Sequence, residues 1–171
     1  ALGDAQPKYL NSPESPLYSK SYVLYGLHLA REAVRKAGRI VVVEGYFDCL
    51  GLHQHGIENV VASCGTSMTA QQVTLLNRYA PEVVMNYDPD AAGQNAMRRS
   101  IDLLLDKGLH VRILKLPGSL DPDDFVRAEG AGVYRRLLDG APYFWQYLIA
   151  DAAGRLDLDQ PEMKATAVRE V

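Results

Sequence analysis

The chain has 171 residues, 47% hydrophobic and 23% charged, an ordinary balance for a protein that buries one core. No apolar run approaches the ~20 residues that span a bilayer, and residues 1–11 lack the hydrophobic stretch of a secretory signal. Two cysteines, Cys49 and Cys64, are too few for a four-ligand zinc site or a secreted disulfide scaffold, which points to reduced, buried thiols and a cytoplasmic setting.

The net charge of −3 argues against a nucleic-acid partner until its distribution is considered. Residues 1–39 hold six Lys/Arg against three Asp/Glu, whereas residues 40–171 hold twelve against eighteen. A basic leading segment on an acidic body suits an enzyme that holds phosphates at one edge and metal ions at another. An ordinary solvated surface with chance asymmetry gives the same pattern.

In chain order, the first twenty residues carry three prolines and read as extended and irregular. A helical pattern then runs from Ser21, a candidate cap, through Val23, Leu24, Leu27, Ala30, Ala33 and Val34 to a stop at Gly38. Ile40-Val41-Val42-Val43 is apolar on both faces and predicts a central strand of a parallel sheet. Tyr46–His55 predicts a helix and Asn59–Ser63 a strand. Met68–Tyr79 predicts a second helix, capped by Thr66 or Ser67.

Glu82–Tyr87 predicts a strand, Ala91–Lys107 a helix and Leu109–Leu116 a further strand. This alternation predicts an α/β fold, with a mostly parallel central sheet flanked by helices and right-handed crossovers. After Pro117-Gly118 come three short helical patterns, Asp121–Glu129, Val133–Leu138 and Pro142–Ala153. They make a small helical segment behind the sheet. The aromatic stripe Tyr143, Phe144, Trp145 and Tyr147 reads as helix packing, with a base-stacking platform as the alternative. Pro161–Val171 reads as a helix interrupted midway, as in a piece of a longer chain.

In open α/β sheets ligands bind beyond the carboxyl ends of the strands. Glu44 directly follows Val41-Val42-Val43, and Asp48 falls one helical turn later, with Gly45 between leaving room for close approach. Asp88 and Asp90 follow the strand that ends near Tyr87. Asp121, Asp123 and Asp124 follow the one that ends near Leu116. Three acidic clusters at one edge repel unless cations neutralise them, and Mg²⁺, a hard cation that favours carboxylates and phosphates, is the expected one. Acids at helix starts also complement helix dipoles, which is the plain alternative for any single cluster. Ser63-Cys64-Gly65-Thr66-Ser67 is a small-residue turn into a helix, either an anion cradle or simply a tight turn. His28, His53, His55 and His110 show no ligand spacing tied to the acids and read as surface or helix residues.

Glu44-Gly45-Tyr46-Phe47-Asp48, Ala62-Ser63-Cys64-Gly65-Thr66 and Tyr87-Asp88-Pro89-Asp90-Ala91-Ala92-Gly93 resemble the successive motifs of the Toprim domain. That domain is shared by bacterial primases, type IA and type II topoisomerases and some nucleases. Pro7-Lys8-Tyr9-Leu10-Asn11-Ser12-Pro13-Glu14 resembles the segment just upstream of it in bacterial DnaG-type primases. Asp121-Pro122-Asp123-Asp124-Phe125-Val126-Arg127 resembles the DPD segment of the same family. The resemblance is colinear from about Pro7 to Leu138 and departs at Pro89, where the family often has glycine.

The resemblance implies a Toprim core at 39–116. A basic leading segment and helix at 1–38 would precede it, and an acidic DPD segment with C-terminal helices at 117–171 would follow. It implies a DNA-directed RNA polymerase that makes short RNA primers on single-stranded DNA from nucleoside triphosphates, by Mg²⁺-dependent nucleotidyl transfer, with Mn²⁺ able to substitute. Glu44, Asp88 and Asp90 would be the catalytic metal ligands, completed by Asp48, Asp121 and Asp123. Lys8, Asn11 and Lys20 would contact nucleotide or template. A zinc module before this core and a region that engages the replicative helicase after it would lie outside the chain, leaving the isolated segment inactive or weakly active. A topoisomerase or nuclease Toprim domain is the enzymatic rival, disfavoured by the PKYLNSPE and DPDD segments. A non-catalytic binding module is the other rival, for which six carboxylates beside phosphates would serve no purpose.

Overall fold

The structure is a computed structural model that describes residues 13, 15, 16, 18–64, 67–88 and 91–155, without the side chains of residues 91, 92, 94, 119 and 155. Helix α1 (Leu27–Ala37) leads into β1 (Arg39–Val43), followed by α2 (Tyr46–Gln54), β2 (Val60–Ala62), α3 (Ala70–Leu76), β3 (Glu82–Met85), α4 (Ala91–Asp106) and β4 (His110–Ile113). A short 3₁₀ turn, Pro117–Ser119, precedes α5 (Pro122–Glu129), α6 (Ala131–Asp139) and α7 (Phe144–Arg155).

The four strands form one parallel sheet in the order β2-β1-β3-β4, with Val42 opposite Val61 on one side and Met85 on the other. Both faces of β1 are buried, as its unbroken β-branched run requires. Ile40 and Val42 join Val61, Val83, Met85, Val111 and Ile113 under α1, α3 and α4. Val41 and Val43 join Val60, Ala62 and Val84 against α2, α5 and α6. Each fully buried valine or isoleucine contributes on the order of 1.5–3 kcal/mol to folding. The predicted doubly covered α/β sheet and its helical appendage are the observed architecture.

Two local expectations differ. The helix predicted from Ser21 begins only at Leu27. Tyr25 instead pairs antiparallel with Ala62, its N–H donating to Ala62 O at 2.9 Å and its carbonyl accepting from Ala62 N at 3.0 Å. Edge pairing with β2 therefore outweighs the helical periodicity of 21–26, and Gly26 makes the turn at φ 80°. Helix α3 is capped by Thr69, not by Thr66 or Ser67. Thr69 Oγ1 accepts from Gln72 N at 3.1 Å, and Gln72 Oε1 accepts from Thr69 N at 3.0 Å.

The aromatic stripe of α7 divides. Phe144 and Tyr147 pack against the core, while Trp145 is exposed and stacks on Tyr143, whose ring receives the Arg112 guanidinium. Among the described residues no helix is long and apolar enough to cross a membrane.

Candidate functional site

Strands β1 and β3 are neighbours, yet the chain leaves them in opposite directions across the sheet, β1 towards β2 and β3 towards β4. Such a switch point opens a crevice at the carboxyl ends of the two strands. Glu44 stands at the end of β1. Asn86 N donates to Val42 O at 2.9 Å, carrying the pairing one step past β3 and delivering Asp88 beside Glu44. The Asp88 backbone N–H donates to Glu44 Oε1 at 3.0 Å, and Asp88 buries its own Oδ1.

Gly93, in the first turn of α4, permits this closeness. A Cβ there would fall 2.5 Å from Glu44 Oε1 and nearer still to the Asp88 carbonyl oxygen. Gly93 closes the Tyr87–Gly93 motif, but the motif alone gives it no role. A glycine inside a helical stretch, at a cost of about 1 kcal/mol relative to alanine, is the signal that marks such a contact.

Asp48 lies one turn into α2 and is 8% exposed. Its Oδ2 accepts from Gly45 N at 3.1 Å, and the Asp123 backbone amide also bonds it. Burial, followed by the charges of Asp88 and Asp121, pushes its carboxyl up to about 7. The repulsion expected of gathered carboxylates thus acts on Asp48 from both Asp88 and Asp121. Asp121 caps α5, accepting from Asp124 N at 2.7 Å.

Asp123 behaves differently from its neighbours. Its carboxylate accepts from Arg127 Nε at 2.9 Å and lies over Gly51, so it is the backbone of Asp123, rather than its side chain, that reaches Asp48. Asp90, Lys8 and Asn11 lie outside the described residues. Lys20 is half-buried near Cys64, where its charge opposes the burial that pushes the Cys64 thiol up to about 11. Cys64 N donates to Glu44 O at 3.1 Å, which ties the Ser63–Cys64 turn to the acidic edge.

Below the site, Tyr134 OH donates to Asn86 Oδ1 at 2.7 Å and Asn86 Nδ2 donates to Leu114 O at 3.1 Å. This buried pair fixes the chain where β3 gives way to the Asp88 loop, and sequence reasoning missed it. Among the described residues no three of His, Cys, Asp and Glu converge closely enough to enclose a metal ion. The donor set itself is all hard carboxylate oxygen, with like charges that a divalent cation would relieve, so these residues fit such an ion.

Residues 41–126 match the Toprim-like family. The chain belongs to that family. Residues 1–31 of this Toprim-like chain also match the N-terminal domain of the DNA primase catalytic core. It is 44% identical over 170 residues to the DNA primase of Clostridium acetobutylicum, covering 99% of this chain and 28% of that relative.

Among solved structures it is similar to the Aquifex aeolicus primase zinc-binding and RNA polymerase domains. The TM-score there is 0.84 at 38% identity, covering 98% of this chain and 40% of the other. It is also similar to the DnaG primase catalytic domain bound to single-stranded DNA, with a TM-score of 0.80 at 37% identity, covering 96% of this chain and 54% of the other. The Toprim-like chain thus spans less than a third of its Clostridium relative and about half of that DNA-bound domain.

Proposed function

We propose that this chain is the metal-binding catalytic core of a bacterial-type DNA primase, acting in RNA primer synthesis on single-stranded DNA. The observation that carries the reading is the Glu44–Asp88 juncture at the β1/β3 switch point, with Asp48 close enough to both Asp88 and Asp121 to feel their charges. Its colinear similarity to DNA primases over 99% of its length supports the same reading.

In this proposal Glu44, Asp88 and Asp90 hold divalent magnesium, for which manganese substitutes. Asp48 and Asp121 supply further negative charge, and Asp123 orients Asp48 through its backbone. The primer 3′-oxygen forms a bond to the α-phosphorus of a nucleoside triphosphate, and the α–β bridging bond breaks with its electron pair leaving on pyrophosphate. The ion, when bound, would lower the pKa of the attacking hydroxyl and neutralise the leaving oxygens. Glu44 and Asp88 set where that charge sits. Lys8, Asn11 and Lys20 contact nucleotide or template phosphates from the basic leading segment.

Zinc binding and helicase engagement, on this reading, belong to regions of the whole protein outside this segment. The test is metal-dependent primer synthesis by the full-length protein, compared with Asp88→Ala/Asp90→Ala. Synthesis lost in the double variant, together with Mn²⁺ binding by calorimetry, is expected. Equal Mn²⁺ affinity in both proteins rules out the acidic edge as the metal site.

A further inference from the structure

The first turn of α3 is occupied with a segment more than forty residues away. Gln72 is 2% exposed, and its Nε2 donates to Val23 O at 2.8 Å, Lys20 O at 3.3 Å and Ser63 O at 3.3 Å. Beside it, Thr69 Oγ1 donates to Ser21 O at 2.5 Å. Three carbonyls from Lys20–Val23 are therefore received by one helical turn, and the same amide grips the Ser63 turn.

A helix-capping role does not account for this. The capping box needs only Oε1 of Gln72, which accepts from Thr69 N at 3.0 Å, and glutamate would serve a box equally well. What glutamate lacks is the NH₂ group, and that group is spent entirely on carbonyls outside α3. Two hydrogens on a buried amide, shared among three acceptors, form a directional clamp, and removing the donor takes a partner from the buried Ser63 carbonyl and from the part-buried Lys20 and Val23 carbonyls.

The clamp lies one step from the acidic edge. The Lys20 charge acts on Cys64, whose backbone N–H donates to Glu44 O at 3.1 Å, and the Tyr87 hydroxyl donates to Ser63 Oγ at 3.4 Å from the strand-end loop that carries Asp88. We propose that Gln72 is the positioning residue that sets the Lys20 ammonium beside the Glu44–Asp88 edge, where it meets a substrate or template phosphate. This rests on the assignment of Lys20 to the phosphate-binding side in the proposed function. Gln72 touches no reacting atom and acts only through the register of Lys20–Val23 against the Ser63–Cys64 turn.

The experiment is a double-mutant cycle in the full-length protein, reading single-stranded DNA affinity across a salt titration, Mn²⁺ affinity by calorimetry and melting temperature. Gln72→Met keeps the volume of the side chain and removes the clamp. Thr69→Val removes the neighbouring bond to Ser21 together with the α3 cap, and its own melting temperature, read beside its DNA affinity, provides a second cycle should the first variant fail to fold. Lys20→Ala and Gln72→Met should each weaken DNA binding roughly three- to tenfold and reduce the salt slope by about one ion, and combining them should add nothing further. Mn²⁺ affinity should hold.

Additive losses of DNA affinity would mean that Gln72 does not act through Lys20, and would overturn the proposal. So would a parallel fall in Mn²⁺ affinity and melting temperature with the salt slope unchanged, the signature of general destabilisation. A loss in Lys20→Ala with none in Gln72→Met or Thr69→Val overturns the positioning role alone. Unchanged binding in Lys20→Ala overturns the Lys20 assignment and this proposal with it.

Discussion

The Asp88 backbone N–H and Glu44 Oε1 are joined at 3.0 Å, although the two residues are 44 apart in the chain. One oxygen of Glu44 thus holds the Asp88 loop in place, and the carboxylate carries the negative charge that a divalent ion needs. Glu44→Gln separates these tasks, because an amide oxygen still accepts from Asp88 N–H while the charge is gone. The variant is expected to keep its unfolding free energy within about 1 kcal/mol of the native value and to lose Mn²⁺ binding in calorimetry. A Mn²⁺ affinity equal to that of the native chain contradicts the assignment of Glu44.

Gly93→Ala tests the same juncture from the opposite side. The added methyl has no room between Glu44 Oε1 and the Asp88 carbonyl, so α4 must shift or the Glu44–Asp88 bond must break. Overpacking of this kind costs about 1–3 kcal/mol. Chemical denaturation should show that loss, accompanied by weaker Mn²⁺ binding. An unchanged protein would mean that the close approach does not position the site.

Asp48 makes stability fall as pH rises in the metal-free protein. Its carboxyl titrates near 3.8 when unfolded and at about 7 when folded, so between these values the folded state binds the extra proton. Unfolding then becomes more favourable from about pH 4 to pH 7, by up to about 4 kcal/mol, and levels off above. Asp48→Asn should remove most of that slope in urea titrations at pH 5 and pH 8. A slope equal to that of the native chain would show that Asp48 is not the group responsible.

Gly51 and Asp123 make a second close approach, this time between α2 and α5. A Cβ on Gly51 would overlap the Asp123 carboxylate, which is held by Arg127. Gly51→Ala is expected to displace α5, and with it Asp121 and the Asp123 amide that bonds Asp48. The loss should be about 1–3 kcal/mol by thermal denaturation. The double variant Gly51→Ala/Asp123→Ala should recover part of it, and failure to recover any would place the strain elsewhere.

Lys8 and the isolated segment provide a functional check. Lys8→Ala in the full-length protein should weaken single-stranded DNA binding across all sequences and lower the salt slope by about one ion, with Mn²⁺ affinity unaltered. The 171-residue chain alone should make little or no primer even with Mn²⁺ bound, because phosphate neutralisation dominates affinity for template and the chain spans only 28% of its Clostridium relative. Robust synthesis by the chain alone would contradict that division of labour.

The parts of this protein that are written over short spans were legible before folding was considered. The valine run of β1, apolar on both faces, announced a central strand because adjacent residues point to opposite faces of a sheet. The helix–strand alternation announced the α/β class, and the strand-end rule put Glu44, Asp88 and Asp121 at one edge before any strand order was known. Which strands are neighbours is set by the folded sheet. The order β2-β1-β3-β4 creates the switch point at which Glu44 meets Asp88.

Folding also decided that Tyr25 pairs with Ala62 instead of continuing a helix, that Asp123 turns its carboxylate to Arg127, and that Gln72 spends its amide on Lys20 and Val23. The physical reason is the range of the interactions. Periodicity and caps act among residues a few positions apart, whereas close approach, buried hydrogen bonds and carboxylate repulsion depend on groups that only folding brings within a few ångströms.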